Sequence, residues 1–203
     1  MGDSGAPFFD DSNDPNDPGH DVLIGQNGDD DYDAEGGDDI MLADPGIERN
    51  AGAAGFDWSS HQLDGLPADA DLSRILLGVP LPVDVLRDRY AEVEGLSGAA
   101  RNDVLRGDDL IPRLAEGEGF SGRNWLDAEG VNRITGLDGL LPAGATDGDS
   151  VWGEGNIILG GGGSDTLEGR GGDDILDGDK YLSVRLSVRT NPADPATETG
   201  TAA

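Results

Sequence analysis

Bulky apolar residues in this chain are sparse, and in two regions they recur every nine positions, each two places after an acid and four places after a glycine. In the first region the glycines are Gly19, Gly28, Gly37, Gly46 and Gly55, and the acids are Asp21, Asp30, Asp39, Glu48 and Asp57. Leu23, Tyr32 and Met41 follow in the bulky slot, after which the register decays to Asn50 and Ser59, residues unsuited to a dry interior. In the second region, residues 160–168 read G-G-x-G-x-D-x-U-x without a fault, where U is large and apolar. Residues 169–177 repeat it with Arg170 in place of the second glycine, and Asn156 and Ile158 fill the acid and apolar slots of a weaker unit upstream. A period of nine matches neither a helix stripe nor a strand alternation. It predicts stacked repeats, each a six-residue turn followed by a three-residue strand. Gly/Asp-rich linker is the alternative that composition alone favours, but a linker has no use for a fixed phase.

Between the two regions the pattern changes. Leu86, Tyr90 and Val93 fall at i, i+4 and i+7, and Gly95 stands where a stop belongs, so residues 84–94 are expected to form the best helix of the chain. A second short helix is expected at 127–135, with Asp127 as its cap and Val131 and Ile134 on its apolar side. Residues 75–80 read as loop with buried anchors, and 107–126 as acidic loop. Asp103-Val104-Leu105 echoes Asp21-Val22-Leu23 and Asp174-Ile175-Leu176, which makes 98–106 a degenerate repeat that rejoins the stack. Residues 181–188 alternate apolar and polar, the mark of one longer strand closing the last edge. The expected organisation is a loose lead-in at 1–18, in which Phe8 and Phe9 cap an open end, a first repeat block at 19–60, an insertion at 61–150, a second block with its closing strand at 151–188, and a disordered tail at 189–203.

Composition then limits the partners. The 203 residues carry a formal net charge of −29, which excludes electrostatic binding to nucleic acid or to an anionic membrane and makes a cation the natural partner. A salt-adapted acidic surface is the alternative reading of that charge for the middle of the chain. With 5% aromatic and 35% hydrophobic residues the core must be thin, and there is no cysteine to staple it. No apolar run reaches the roughly 20 residues of a membrane span. No Sec-type leader is legible in Met1–Gly5.

These nonapeptides resemble the RTX, haemolysin-type family of secreted bacterial proteins, over residues 16–60 and 151–182. The resemblance implies a mainly β fold, a parallel β-roll in two blocks with a partly helical insertion, in which two nonapeptides make one coil and residues 18 apart stack. It implies Ca2+ as the bound ion, a hard cation that takes six to eight oxygens from turn carbonyls and carboxylates. The implied metal ligands are Gly19, Asp21, Gly28, Asp30, Gly37, Asp39, Asn156, Gly161, Gly163, Asp165, Gly172 and Asp174. Asp21, Asp39 and Asp57 would line one edge, and Asp30 and Glu48 the other. Asp174 would stack on Asn156, whereas Asp165 has only Asp147 at the matching step upstream. Leu23, Tyr32, Met41, Leu167 and Leu176 would face the interior. Arg101 in a glycine slot makes Asp103 a holder of its turn by hydrogen bonds rather than a ligand. Secretion to the extracellular space through a type I system is the usual route for this family.

A more particular resemblance rests on the order of the first repeats, an insertion, Asn102–Asp108, Leu140–Thr146 and Gly155–Gly161. This looks like the calcium-binding segment attached to large bacterial secreted animal-type haem peroxidases. It implies an enzyme domain covalently linked in a longer parent, with this segment serving export, anchoring or adhesion. No peroxidase motif matches, so no catalytic residue is assigned. His20, inside a repeat turn, reads as exposed, and His61 as packing or surface. There is no H-E-x-x-H, G-x-S-x-G or phosphate-binding loop. Paired carboxylates abound, but a glycosidase pair cannot be told from cation ligands by sequence. A self-contained hydrolase or peroxidase is therefore the weakest of three readings, behind a calcium-binding structural module and a non-catalytic segment of an extracellular enzyme.

Overall fold

A computed structural model describes residues 19–74, 87–114, 124–143, 151–191 and 193–202. The repeats set the architecture. Turns, most of them glycine-bearing, reverse the chain between short strands, and apart from the consecutive pair β6 and β7 the strands alternate between two facing sheets in which every pairing within the roll is parallel. The strands are β1 (Val22–Ile24), β2 (Asp31–Asp33), β3 (Ile40–Leu42), β4 (Arg49–Ala51), β5 (Trp58–Ser60), β6 (Asp69–Asp71), β7 (Arg89–Ala91), β8 (Gly95–Ser97), β9 (Val104–Arg106), β10 (Ile157–Leu159), β11 (Thr166–Glu168) and β12 (Ile175–Asp177). One face is a six-stranded sheet in the order β1-β3-β5-β8-β10-β12. The other comprises β2-β4-β7 and β6-β9-β11. The Tyr90 N–H donates to the Arg74 carbonyl at 2.8 Å and links these two pieces. The register is the one an 18-residue coil demands: Leu23 pairs with Met41, Met41 with Ser59, and Tyr32 with Asn50. The mainly β, parallel β-roll expectation holds.

Because side chains alternate along a strand, the middle residue of each triplet points inward. Tyr32, Met41, Tyr90, Leu96, Leu105 and Ile158 pack there with Ala34, Ala68, Ala70, Leu72 and Val93, and Leu23 and Leu167 close against them. Burying a large side chain contributes about 1.5–3 kcal/mol and an alanine much less, so this layer stabilises the roll only modestly. A second apolar layer covers the outer face of the six-stranded sheet. Phe56, Trp58, Ile157 and Leu159 are overlain by Leu126, Val131, Leu137 and Leu141 of the insertion, and by Val151, Trp152 and Leu182 that follow it. The insertion's helix α1 (Ala128–Arg133) begins where expected, with the Asp127 carboxylate accepting the Glu129 and Gly130 N–H groups at 2.8 and 2.9 Å. A Cβ at Gly130 would press on the Asp38 carboxylate of the roll beneath, so the helix sits close against it.

Several expectations are corrected. The segment expected to be the best helix, 84–94, contains strand β7 in its described part: Tyr90 points into the roll and Arg89 pairs with Arg49. Its spacing fits a helix stripe locally, but partners 40 residues upstream decide the outcome. Residues 69–71, inside a stretch read as having lost the register, form β6, which precedes β7 in sequence yet sits beyond it in the sheet beside β9. Asn50 and Ser59 do not end the register. Both are fully buried at inward positions, where the Asn50 side-chain amide reaches the Arg89 carbonyl at 3.5 Å. Leu176 pairs with buried Ile158 but stays 45% exposed, because β12 is the last strand of its sheet. The strand expected at 181–188 is only β13 (Leu186–Arg189), and it does not close the roll. It pairs antiparallel with β14 (Glu198–Ala202), within the tail expected to be disordered. Residues 182–184 lie against the roll instead, through Leu182 N–H to Ser97 Oγ at 2.9 Å and Val184 N–H to Gln62 Oε1 at 2.7 Å. Phe8, Phe9, the 75–80 loop and Asp147 lie outside the described residues.

Candidate metal centre

Turns of successive coils stack along the two rims of the roll, and the acid slots form ladders. On the first rim the Asp39 Oδ1 accepts the Asp21 N–H at 2.6 Å, and the Asp57 Oδ1 accepts the Asp39 N–H at 2.9 Å. Glu94 continues the ladder by accepting the Asp57 N–H at 2.9 Å, and the Asp174 Oδ1 accepts the Asn156 N–H at 2.8 Å. On the second rim the Asp88 Oδ1 accepts the Glu48 N–H at 2.9 Å. Further along, the Asp103 Oδ1 accepts the Ala68 N–H at 2.8 Å and the Asp165 Oδ1 accepts the Asp103 N–H at 2.8 Å. The stacks Asp21–Asp39–Asp57 and Asn156–Asp174 are those read from the repeats. The partner of Asp165 is a correction: it is Asp103, brought into register across the long insertion.

The glycines bring the main chain of adjacent coils into contact. Gly37 sits over the Gly19 carbonyl, Gly46 over that of Gly28 and Gly55 over that of Gly37, with no room for a Cβ at any of them. In the second block Gly161, Gly163 and Gly172 sit over the carbonyls of Ala99, Arg101 and Glu154 in the same way. Main-chain oxygens are thereby concentrated beside the carboxylates.

Asp39, Asp57, Asp88, Asp103, Asp165 and Asp174 each give one carboxylate oxygen to an amide of the neighbouring turn; what happens to the remaining carboxylate oxygens separates two kinds of turn. The Oδ2 atoms of Asp30, Asp39 and Asp57, and both side-chain oxygens of Asp44 and Glu48, are buried and accept no hydrogen bond. A buried carboxylate without a partner costs several kcal/mol. A hard cation removes that cost, so the residues fit calcium on this test. Asp103 differs. Its second oxygen accepts the Ala99 N–H at 3.1 Å, as expected of a turn held by hydrogen bonds alone. The Asn156 Oδ1 is likewise committed, to the Asp108 N–H at 2.9 Å. Arg170, the departure from the glycine consensus, holds a φ of +71° and supplies a cation of its own. Its guanidinium spans both oxygens of Asp71 at 2.7 and 3.0 Å and donates to the Gly107 carbonyl at 2.9 Å. Two charge-assisted bonds meet at Asp103, so Asp103→Ala is expected to lower stability in saturating calcium by about 3 kcal/mol. The urea midpoint checks this, and an unchanged midpoint would contradict it.

Burial pushes several of the ladder carboxyls upward. Asp39 rises to about 7, through desolvation and then the nearby charges of Asp21 and Asp38. Glu48 rises to about 9, through desolvation and then Asp88. Asp57 and Glu94 are also raised, desolvation again being the largest cause. An acid whose folded value is raised keeps protons that the unfolded chain has released. Its contribution to stability is therefore complete below the ordinary carboxylate range and is lost as pH rises through the folded value. Without calcium, acidification from about pH 8 to about pH 5 is expected to strengthen the β signal in far-UV circular dichroism, and a signal that weakens over that window would contradict the assignment.

Three of the groups at the rims were not legible as site residues. Asp44 occupies the second position of its turn, where the fault-free repeat has Gly161 and the other repeats vary. Asp88 and Glu94 lie within the segment read as an insertion, where their spacing from the first repeats is not a multiple of nine. Of the histidines, His20 accepts the Asp38 N–H through Nδ1 at 2.8 Å and is half-buried rather than exposed. His61 is buried, with Nδ1 3.8 Å from Asp64 Oδ2. No described helix is long and apolar enough to cross a membrane.

A family model described as the RTX calcium-binding nonapeptide repeat matches residues 17–41 and 153–180, in four copies. The two matched segments stand at the two ends of the roll, and the repeats that this family model describes are structural modules. No curated protein and no solved structure matches the chain.

Proposed function

We propose that this chain is a calcium-binding β-roll module that folds as it takes up the ion and serves as a structural part of a secreted bacterial protein. The observation that carries this reading is the row of buried carboxylate oxygens without partners on stacked turns. Asp21, Asp30, Asp39, Asp57, Asp165 and Asp174 would supply charged oxygens, and carbonyls of the turns at Gly19, Gly28, Gly37, Gly161, Gly163 and Gly172 the neutral ones. Bound calcium supplies the positive charge that the rims lack; the chain's own part is to hold the oxygens in place. A chain with no cysteine and a net charge of −29 suits an extracellular setting in which calcium rather than disulfides staples the fold. The order of motifs at 102–108, 140–146 and 155–161 supports a further placement, as a non-catalytic export, anchoring or adhesion segment of a longer peroxidase-type enzyme.

Ion selectivity tests the reading. Magnesium demands a tight octahedron and gives up its waters reluctantly, whereas clustered carbonyls and carboxylates offer more numerous, looser oxygens. Calcium is expected to restore the β signal of the metal-stripped chain and magnesium at equal concentration to leave it unfolded. Equal recovery with the two ions would overturn the proposal.

A further inference from the structure

We propose that the two ends of the roll are complementary surfaces and that copies of this chain associate head to tail, the β1–β2 end of one copy seated on the β11–β12 end of another.

The reason lies in how one coil receives the next inside the roll, where the same kinds of bond recur along the stack. The first N–H of a strand donates back to the previous coil, as Ile40 does to the Asp21 carbonyl at 3.0 Å and Ile175 to that of Asn156 at 2.9 Å. The sixth residue of the earlier turn gives its N–H to the carboxylate of the later one, as Asp21 does to Asp39 at 2.6 Å and Asp103 to Asp165 at 2.8 Å. Each end of the roll holds one half of this set. At the β11–β12 end, the main-chain N–H and carbonyl groups of Asp165 and Asp174 have no partner among the described residues. At the β1–β2 end, the matching donors are the Val22 and Asp31 N–H groups, which face away from β3 and β4 by the alternation of a parallel ladder. Among the described residues no strand lies beyond β1, β2, β11 or β12. Such edges are templates for a further strand.

The apolar surface at the two ends matches as well. Leu176 is exposed in an inward slot, and Val22 and Ile24 are 44% and 38% exposed. Seated in the register that pairs Leu23 with Met41, Leu23 of one copy meets Leu176 of the other and Tyr32 meets Leu167. Gly28 then comes over the Gly163 carbonyl of the other copy. It already has the φ of +138° that a coil-on-coil contact uses at Gly37 and Gly55, with nothing of the described chain above it. Two contacts oppose the junction. Asp33 meets Glu168, whose charge Arg106 and Arg170 hold at 3.6 Å. Asp21 meets Asp174 as it meets Asp39 within the roll, so calcium must be present for ends to join as it must for coils to stack. Joining unlike ends leaves an unlike end free on each side, so growth is open-ended and does not close at a dimer.

Sedimentation velocity of the full chain in saturating calcium, from micromolar to millimolar protein, is the first measurement. The average mass is expected to climb past that of a dimer without a plateau. Val22→Pro removes the donor at one end, at an edge position where proline is tolerated, and Leu176→Lys places a charge at the other. Each variant alone is expected to stay monomeric with the wild-type far-UV spectrum. An equimolar mixture still has one intact end of each kind, and is expected to form a dimer with one copy of each variant and to stop there. Should Val22→Pro not fold, Val22→Lys replaces it. A folded wild type that stays monomeric throughout overturns the proposal, and is the outcome if residues 1–18 take the place of a second copy. Assembly that stops at a wild-type dimer overturns it too, as does a mixture that forms no dimer of unlike variants.

Discussion

Stripping calcium with a chelator is expected to remove most of the β signal from the far-UV circular dichroism spectrum, and returning calcium to restore it. The reason is a balance that the fold cannot meet alone. The inner apolar layer is thin, the chain carries a net charge of −29, and the ladder acids face one another within the rims. Each buried and unpaired carboxylate that stays ionised costs several kcal/mol, against a total stability of about 5–15 kcal/mol for an ordinary domain. Melting should not be uniform. Around β6, β9 and β11 guanidinium groups already neutralise the acids: Arg87 and Arg106 on Asp69, and Arg170 on Asp71. Hydrogen exchange during chelation is expected to open β1–β5 before these three strands. Loss of protection at the same rate throughout would show that the arginines do not stand in for the ion.

Gly55→Ala is expected to destabilise the roll far more than Gly28→Ala, although both glycines occupy the same place in their repeats. Each has a φ that alanine adopts only with strain, +144° at Gly55 and +138° at Gly28, a shared cost of about 1–3 kcal/mol. They differ in what lies above. Among the described residues, a Cβ at Gly28 meets nothing within 4 Å. At Gly55 it would strike the Gly37 carbonyl, and neither backbone can give way without breaking the Ala54–Glu35 and Gly37–Ala54 hydrogen bonds. We expect Gly55→Ala to add at least about 3 kcal/mol to the strain, enough to abolish folding at calcium concentrations that saturate the wild type. Calcium titrations of the two variants, followed by circular dichroism, check this. Similar midpoints would mean that the coils are not stacked with these carbonyls in contact.

The parts of the fold that could be read from the sequence are those in which consecutive repeats are also neighbours in space. The stacks of Asp21, Asp39 and Asp57, and of Asn156 and Asp174, follow from an unbroken step of 18 residues, and the inward residues Tyr32 and Met41 follow from the same phase. Where an insertion intervenes, the step is preserved in space and lost in sequence. Asp165 rests on Asp103, 62 residues away, and Asp57 on Glu94, 37 residues away. No local signal marks either pair. Arg89-Tyr90-Ala91 shows the same limit for secondary structure. A three-residue strand is too short to reveal its alternation, and a stripe of Leu86, Tyr90 and Val93 imitates a helix. β6, Asp69-Ala70-Asp71, has alternation but only an alanine on its inner face. Asp44 was hidden for a different reason: it stands in the second slot of its turn, which the repeat pattern does not reserve for an acid.

The most direct measurement is a calcium titration of the metal-stripped full chain at neutral pH, with ion uptake and far-UV circular dichroism recorded on the same samples. If the roll is assembled by the ion, several calcium ions enter per chain, and the rise of the β signal tracks their uptake, with its midpoint at roughly 10⁻⁴–10⁻³ M for the repeat turns. A β signal already complete before calcium is added, and flat throughout the titration, would contradict the account.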